Sequence, residues 1–94
     1  MAAYQVVYSD IVVYEDLPRL GTADSRRIEK IIRTKLFTAP DQFGKPLRRP
    51  YHGYWVLRSG HYRIAYAISK NIVRILAILP RDRIYQELFE RLSR

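Results

Sequence analysis

Apolar and polar residues alternate with a helical period in the first half of this chain. Isoleucine and leucine side chains recur at three- and four-residue spacing at Ile28, Ile31, Ile32 and Leu36. Charged residues fill the positions between them, which is the pattern of an amphipathic helix with one buried face. We expect this helix to begin after an N-cap at Asp24 or Ser25 and to be closed by Pro40.

Two further elements are expected before that helix. The run from Tyr4 to Tyr8 is rich in valine and tyrosine and predicts a short first strand. A helix capped by Ser9 or Asp10 is expected to continue to about Leu20, where Gly21 stops it.

The second half of the chain changes to the patterning of β-strands. Three runs rich in β-branched, aromatic and aliphatic residues predict strands at 54–58, 62–68 and 72–79. Ser59-Gly60-His61 and Ser69-Lys70-Asn71 are expected to form the tight turns between them. Pro80 ends the third strand, and residues 81–94 predict a final helix. Its apolar stripe is formed by Ile84, Leu88 and Leu92.

This order of elements predicts a small α+β fold in a single domain that spans residues 1–94. The expected architecture is an N-terminal strand and a two-helix hairpin packed on one face of an antiparallel sheet, followed by a C-terminal helix. The length of the chain agrees with this expectation, because an ordinary domain has about 100–150 residues.

Strand alternation divides the residues of the second half between the two faces of the sheet. If Trp55 faces the helices, Arg58 lies on the opposite, open face. The same reasoning places Arg63 on the open face, beside small alanine side chains. Arg81 and Tyr85, just beyond the last strand, are close enough in sequence to reach that face. The prediction is a concave surface that carries several arginines and one aromatic ring.

Composition excludes several classes of function. The chain of 94 residues is 48% hydrophobic, which is enough for a modest core, and it contains no cysteine. A disulfide scaffold, a thiolate zinc site and cysteine catalysis are therefore excluded. No apolar run approaches the roughly 18 residues that span a bilayer, and no signal peptide is recognisable, so we expect a cytoplasmic protein with no membrane partner. Two isolated histidines indicate no metal site, and no cofactor is predicted.

The net charge of +8 is concentrated in one part of the chain. No acidic residue occurs between Asp41 and Asp82, although this stretch is rich in aromatic side chains. Its basic residues are Lys45, Arg48, Arg49, Arg58, Arg63, Lys70, Arg74 and Arg81. Basic groups bind phosphates, and aromatic rings stack on unpaired bases. A solvated basic surface that keeps a small protein soluble is the alternative interpretation. The lack of acids favours nucleic acid as the partner.

Three motifs in this stretch resemble one family of proteins. The segment Leu57-Arg58-Ser59-Gly60-His61-Tyr62-Arg63-Ile64-Ala65-Tyr66 is similar to the signature of the RelE/ParE superfamily of bacterial toxins. Gly44-Lys45-Pro46-Leu47-Arg48 and Pro80-Arg81-Asp82-Arg83-Ile84-Tyr85 agree with it in order and spacing. The resemblance implies the toxin of a type II toxin–antitoxin pair. RelE-type members cut messenger RNA in the ribosomal A site, whereas ParE-type members share the fold and poison DNA gyrase.

The resemblance also implies roles for individual residues. Arg63 matches the arginine that holds the scissile phosphate, and Arg81 the arginine that stabilises charge or the leaving group. Tyr85 matches a tyrosine that stacks on a base, and Arg48 a basic position in contact with ribosomal RNA. The other residues that we expect to bind RNA are Lys45, Arg49, Arg58 and Tyr54. In the implied reaction a ribose 2′-hydroxyl attacks the adjacent phosphate without a metal ion.

One feature departs from the RelE-type pattern. Such nucleases carry two lysines on the strand before Arg58, one of them proposed as the general base, and here those positions are Tyr54 and Val56. Valine cannot transfer a proton, so the base is missing from its expected place. His61 and Tyr54 are the candidate substitutes.

We therefore expect a ribosome-dependent endoribonuclease toxin that inhibits translation. Its expected partners are a cognate antitoxin, with which it forms a hetero-oligomer, and the ribosome with its messenger RNA. Two alternatives stay open. The missing lysines are compatible with a ParE-like inhibitor of DNA gyrase, and also with a non-catalytic relative that only binds RNA or docks an antitoxin.

Overall fold

A five-stranded sheet forms the centre of the protein, and the computed structural model describes residues 3–93 of the chain. The strands are β1 (Gln5–Tyr8), β2 (Lys45–Pro46), β3 (Tyr54–Ser59), β4 (Tyr62–Ser69) and β5 (Ile72–Pro80). The helices are α1 (Thr22–Ile31), α2 (Pro40–Phe43) and α3 (Ile84–Leu92). Between β1 and α1 the chain forms a first helical segment, with a π-helical turn over Val12–Asp16 and a 3-10 turn over Leu17–Arg19.

The sheet is mixed, with the strand order β1-β5-β4-β3-β2. Strands β3, β4 and β5 are joined in antiparallel pairs, as predicted. The two-residue strand β2, which the sequence analysis did not predict, pairs antiparallel with β3. The N-terminal strand differs from the expected antiparallel sheet, because β1 pairs with β5 in the parallel direction. The connection between them contains all the other elements of the sheet. Such a long crossover permits parallel pairing, which a tight turn does not allow.

The helix boundaries differ from the sequence prediction at three places. The final helix, expected from residue 81, begins at Ile84, because residues 81–83 form a turn after β5. The helix expected after Asp24 or Ser25 begins earlier, with Gly21 at its N-cap and Thr22 as its first residue. It continues beyond α1 through a π-helical turn over Ile32–Leu36. Pro40 then occupies the first position of α2, a position that a proline tolerates because its missing N–H has no intrahelical partner there.

Two hydrophobic clusters lie on opposite faces of the sheet. On the first face, the first helical segment and α1 pack against the sheet through buried residues that include Val12, Ile28, Ile32, Leu57, Ile64 and Tyr66. On the second face, α3 inserts Ile84 and Leu88 against a row of smaller side chains, Val56, Ala65 and Ala77. The face expected to be open is therefore partly covered by α3. The alternation predicted for β3 and β4 is confirmed, because Trp55 and Tyr62 pack with the first cluster.

A β-bulge at Leu76 changes the direction of the side chains along β5. Ala65 pairs with Ala77 and the next residue, Tyr66, pairs with Ile75, so Leu76 has no partner on β4. Val73 and Ile75 consequently belong to the first cluster, whereas Ala77 belongs to the second. The extra residue thus shifts the alternation of β5 by one position, so that Ala77 faces α3 instead of the first cluster.

Candidate functional site

A cavity of about 330 Å³ opens on the second face of the sheet, beside α3. The side chains that line it are Phe43, Lys45, Val56, Arg58, Arg63 and Tyr85. They come from five elements, because β2, β3 and β4 form the floor and α3 and the end of α2 form the walls. Four of the residues predicted as site residues, namely Lys45, Arg58, Arg63 and Tyr85, are therefore brought together.

The strand register places the basic side chains of the cavity side by side. Arg58 on β3 lies directly across from Arg63 on β4, and Lys45 on β2 lies directly across from Val56 on β3. Residues opposite each other in antiparallel strands project on the same face. Within residues 3–93, no acidic side chain lies within 4.0 Å of any of these three cations. Uncompensated cations on adjacent strands repel one another, and an anionic ligand relieves that repulsion.

Arg63 is held in place by the hairpin that precedes it. Its Nη1 donates hydrogen bonds to the carbonyl oxygens of Gly60 and Tyr62 at 3.0 and 2.9 Å. Gly60 adopts a positive φ of 59° in this turn, a conformation that glycine accepts without strain. Within the described chain, Nε and Nη2 of Arg63 have no hydrogen-bond partner. They form the edge of the guanidinium that suits two-point contact with a phosphate.

Two aromatic rings flank the cavity. Tyr85, in the first turn of α3, is 50% exposed, and Phe43, at the end of α2, is 49% exposed. Half-exposed rings at the edge of a basic cavity are suited to stacking on an unpaired base. Phe43 is missing from the sequence prediction. Its position directly before the Gly44-Lys45 motif was the only available signal.

Arg81 and His61 lie at one end of the sheet, and neither is among the residues that line the cavity. The backbone N–H of Arg81 donates to the carbonyl oxygen of His61 at 2.8 Å, which fixes the two residues beside the hairpin turn. Both side chains are exposed. The roles implied for them by the family resemblance stay predictions.

The remaining predicted RNA-binding residues extend away from the cavity. Lys45 also borders an open depression with Arg48, so the two basic residues belong to one continuous surface. Arg49 is exposed in the loop that follows. Tyr54 lies in a separate groove of about 270 Å³ beside Tyr51 and the end of α3. Of the two candidate substitutes for the missing base, then, neither lines the cavity that contains Arg63.

A glycine fixes the start of the strand that carries Lys45. The hydroxyl of the buried Tyr66 donates a 2.6 Å hydrogen bond to the carbonyl oxygen of Pro40, and it lies directly against Gly44. A Cβ at Gly44 would collide with this hydroxyl. Burial, with a smaller contribution from Asp41, raises the pKa of Tyr66, so the phenol stays protonated and able to donate.

A buried ion pair that the sequence did not indicate fixes the far end of α3. Arg91 donates from Nη2 and Nη1 to the two carboxylate oxygens of Asp16 at 2.7 and 2.8 Å. These hydrogen bonds raise the pKa of Arg91, against burial, which lowers it. The pair ties the helix that carries Tyr85 to the first helical segment.

This fold is shared with solved toxins of toxin–antitoxin systems. The toxin–antitoxin complex RelBE2 of Mycobacterium tuberculosis contains a chain that is 30% identical, with a TM-score of 0.79 over 86% of this chain and 94% of that chain. A chain of the archaeal RelE–RelB complex of Pyrococcus horikoshii is 26% identical, with a TM-score of 0.61 over 85% of this chain and 97% of that chain. The isolated RelE toxin of E. coli shares the fold at 18% identity, with a TM-score of 0.69 over 96% and 99% of the two chains.

The molecule is thus a toxin of the RelE-like fold. Residues 13–85 match the family of ParE toxins of type II toxin–antitoxin systems, and the chain belongs to that family. This confirms the resemblance found in the sequence motifs. No curated protein sequence matches the chain. Among residues 3–93, no helix is long and apolar enough to cross a membrane.

Proposed function

We propose that this toxin is an endoribonuclease that cleaves messenger RNA bound to the ribosome and so inhibits translation. The observation that carries the proposal is the cross-strand pair Arg58–Arg63 with Lys45 in one cavity, where no acidic side chain of the described chain compensates them. A phosphodiester supplies the missing negative charge. The flanking rings of Tyr85 and Phe43 suit the bases on either side of it.

The proposed chemistry uses positioning and charge rather than a nucleophile from the protein. The ribose 2′-hydroxyl attacks the adjacent phosphorus, the bond to the 5′-oxygen breaks, and a cyclic phosphate forms. Arg63 holds the phosphate through the free edge of its guanidinium, and Arg58 adds positive charge beside it. Because arginines keep their protons, they stabilise the developing charge throughout the reaction.

The basic surface outside the cavity has two proposed partners. Arg48 and Arg49 are exposed on it next to the cavity and are proposed to contact ribosomal RNA through phosphates, which demands little sequence specificity. A cognate antitoxin is proposed to cover the same surface and neutralise the toxin. Solved relatives of the RelE-like fold occur as toxin–antitoxin complexes, which supports such a partner. Acidic side chains on the antitoxin would complement the surface.

A direct test adds the purified chain to a translation reaction and maps the ends of the message by primer extension. The proposal expects new 5′ ends within ribosome-bound message at doses below the ribosome concentration. Arg63→Ala should abolish them while thermal unfolding shows a folded protein. The matched control is Arg33→Ala, which removes an exposed arginine on the other side of the molecule. Translation that stops while every message stays intact would overturn the nuclease assignment.

Inhibition of DNA gyrase is the second candidate function. Residues 13–85 match the family of ParE toxins, and ParE-type members of the superfamily act on gyrase. This function predicts trapped cleavage complexes of supercoiled DNA when purified gyrase is mixed with the toxin. Gyrase that keeps its full supercoiling rate at excess toxin would remove this candidate.

A further inference from the structure

The reaction proposed for the cavity that contains Arg63 needs a group that can transfer a proton. Two residues before Arg58, on the same face of β3, the chain has a valine, Val56, which cannot do so. We propose that Lys45, on the neighbouring strand β2, is that group, and that it protonates the leaving 5′-oxygen. The inference rests on the proposed function, because it assigns a residue to a step of that reaction.

Register places Lys45 where such a group is needed. Lys45 is the cross-strand partner of Val56, and Val56 lies two residues before Arg58 on the same face of β3. Two residues along a strand correspond to about 7 Å. The ammonium group, on a flexible four-carbon stem, thus starts one row away from the Arg58–Arg63 pair and lines the same cavity.

The other side chains of the cavity leave few alternatives. Phe43 and Val56 carry no exchangeable proton, and Arg58 and Arg63 do not give theirs up at any ordinary pH. Tyr85 is the remaining group with a proton to donate, but it stands on α3 with its ring half exposed, as a stacking surface does. His61 and Tyr54 lie outside the cavity lining.

An ammonium group carries a proton that it can give to the leaving oxygen of this reaction. The 2′-oxygen forms its bond to phosphorus and releases its proton to water. The bond from phosphorus to the 5′-oxygen breaks, and its electron pair goes to that oxygen, which takes a proton from the Lys45 ammonium. The products are a 2′,3′-cyclic phosphate and a 5′-hydroxyl, and the neutral amine regains its proton from solvent. Donation also removes one of the three neighbouring positive charges.

A sulfur substitution in the message separates proton donation from charge. A thiolate leaves without being protonated, because a thiol is far more acidic than an alcohol. We compare single-turnover cleavage of two ribosome-bound messages, one ordinary and one with sulfur in place of the 5′-oxygen at the cleaved bond. Lys45→Ala is expected to slow the ordinary message by about 100-fold or more, the usual contribution of a general acid, and the sulfur message by less than about 3-fold.

Four further variants complete the comparison, and one of them, Tyr85→Phe, removes the phenolic proton at the cavity. Lys45→Arg keeps the charge and is expected to stay slow on the ordinary message, whereas Arg63→Ala is expected to be slow on both. Lys30→Ala removes an exposed lysine from α1, away from the cavity, and is expected to match the unaltered toxin on both.

Several results would overturn the inference. Equal slowing of both messages by Lys45→Ala would reduce Lys45 to a binding residue. If Tyr85→Phe slows cleavage of the ordinary message but not of the sulfur message, while Lys45→Ala slows both, the phenol of Tyr85 is the proton donor. If the unaltered toxin cuts the ordinary message and Lys45→Ala cuts it equally fast, the inference alone fails. If the unaltered toxin cuts neither message, the proposed function fails, and the inference fails with it.

Discussion

Arg91 and Asp16 together complete the edge of β5 where β1 no longer covers it. Strand β1 ends at Tyr8, which pairs with Ile75, so beyond Ile75 strand β5 is paired with β4 on one side and has no strand on the other. The Asp16 carboxylate accepts from the backbone N–H of Ile78 at 2.9 Å, and Arg91 donates to the carbonyl oxygen of Leu76 at 2.9 Å. The ion pair thereby supplies hydrogen-bond partners to one buried and one partly buried backbone group of β5.

We expect loss of this pair to destabilise the fold strongly. Asp16→Asn removes the carboxylate charge that binds the buried Arg91 guanidinium at two points and leaves Glu87, 3.3 Å from Nε, as the remaining counter-charge. We expect a cost of up to about 3–5 kcal/mol, the usual loss when one partner of a buried pair is removed. Chemical denaturation of the variant measures the loss directly. The comparison is Arg33→Ala, whose exposed pair with Glu29 at 3.5 Å is expected to contribute less than about 1 kcal/mol. Equal effects of the two substitutions would contradict the structural role of the buried pair.

Repulsion between Arg58 and Arg63 is expected to lower the free energy of unfolding, and the same pair is expected to bind an anion. Arg58→Gln removes the repulsion with Arg63, so at low salt we expect the free energy of unfolding to rise by about 0.2–1 kcal/mol. The gain should shrink as added salt screens the charges. Affinity for single-stranded RNA should fall in the same variant. A variant that is both less stable and unchanged in RNA affinity would contradict an anion-binding role for the pair.

Regular alternation made β3, β4 and their hairpin predictable. In β4 the large side chains of Tyr62, Ile64 and Tyr66 alternate with Arg63 and two alanines, and Gly60 marks the turn. With Trp55 assumed to face the helices, period two then placed Arg58 and Arg63 on the opposite face. The grouping of Arg58 with Arg63 is a consequence of that register. Most of the basic floor of the cavity could therefore be inferred without coordinates.

The features that escaped prediction depend on contacts between distant parts of the chain. Strand β5 is apolar at nearly every position, so nothing in its sequence marks the bulge at Leu76 or shows which residues change face. Asp16 and Arg91 are 75 residues apart, and each resembles an ordinary helix-surface charge. Parallel pairing of β1 likewise depends on where the chain returns after the rest of the fold has formed.

Tyrosine ionisation is expected to lower stability in alkaline solution. Burial raises the pKa of Tyr66 and also of Tyr8, where the charge of Glu29 contributes further. Above pH of about 10, the ordinary pKa of tyrosine, the unfolded chain loses these protons while the folded chain keeps them, so stability falls as pH rises. Unfolding free energies measured between about pH 8 and 11 should show this slope.

The variant Tyr66→Phe separates the contribution of Tyr66 from that of Tyr8. It should be less stable at neutral pH, because the carbonyl oxygen of Pro40 loses its hydrogen-bond donor. Its stability should decline less steeply in alkali, because one of the two shifted groups is gone. An unchanged slope would mean that Tyr66 titrates as it does in the unfolded chain.

Gly44→Ala is expected to disturb the start of β2. The added methyl group would meet the hydroxyl and ring of Tyr66, which are fixed in the core by the bond to Pro40. Overpacking of this kind typically costs about 1–3 kcal/mol. Denaturation of Gly44→Ala, of Tyr66→Phe and of the double variant tests the contact. Removing the hydroxyl should lower the cost of the alanine, whereas strictly additive costs would show that the two residues do not touch.

The attachment of α3 to the sheet can be tested with two leucines of the same predicted stripe. Leu88 is fully buried among Val56, Ala65 and Ala77, whereas Leu92 is 36% exposed. Leu88→Ala should therefore cost about 2–5 kcal/mol and Leu92→Ala much less, as measured by denaturant titration. Because Tyr85 lies one turn before Leu88 on the same helix, Leu88→Ala should also weaken RNA binding more than Leu92→Ala does. Equal effects of the two variants on RNA binding would mean that the cavity does not depend on the packing of α3.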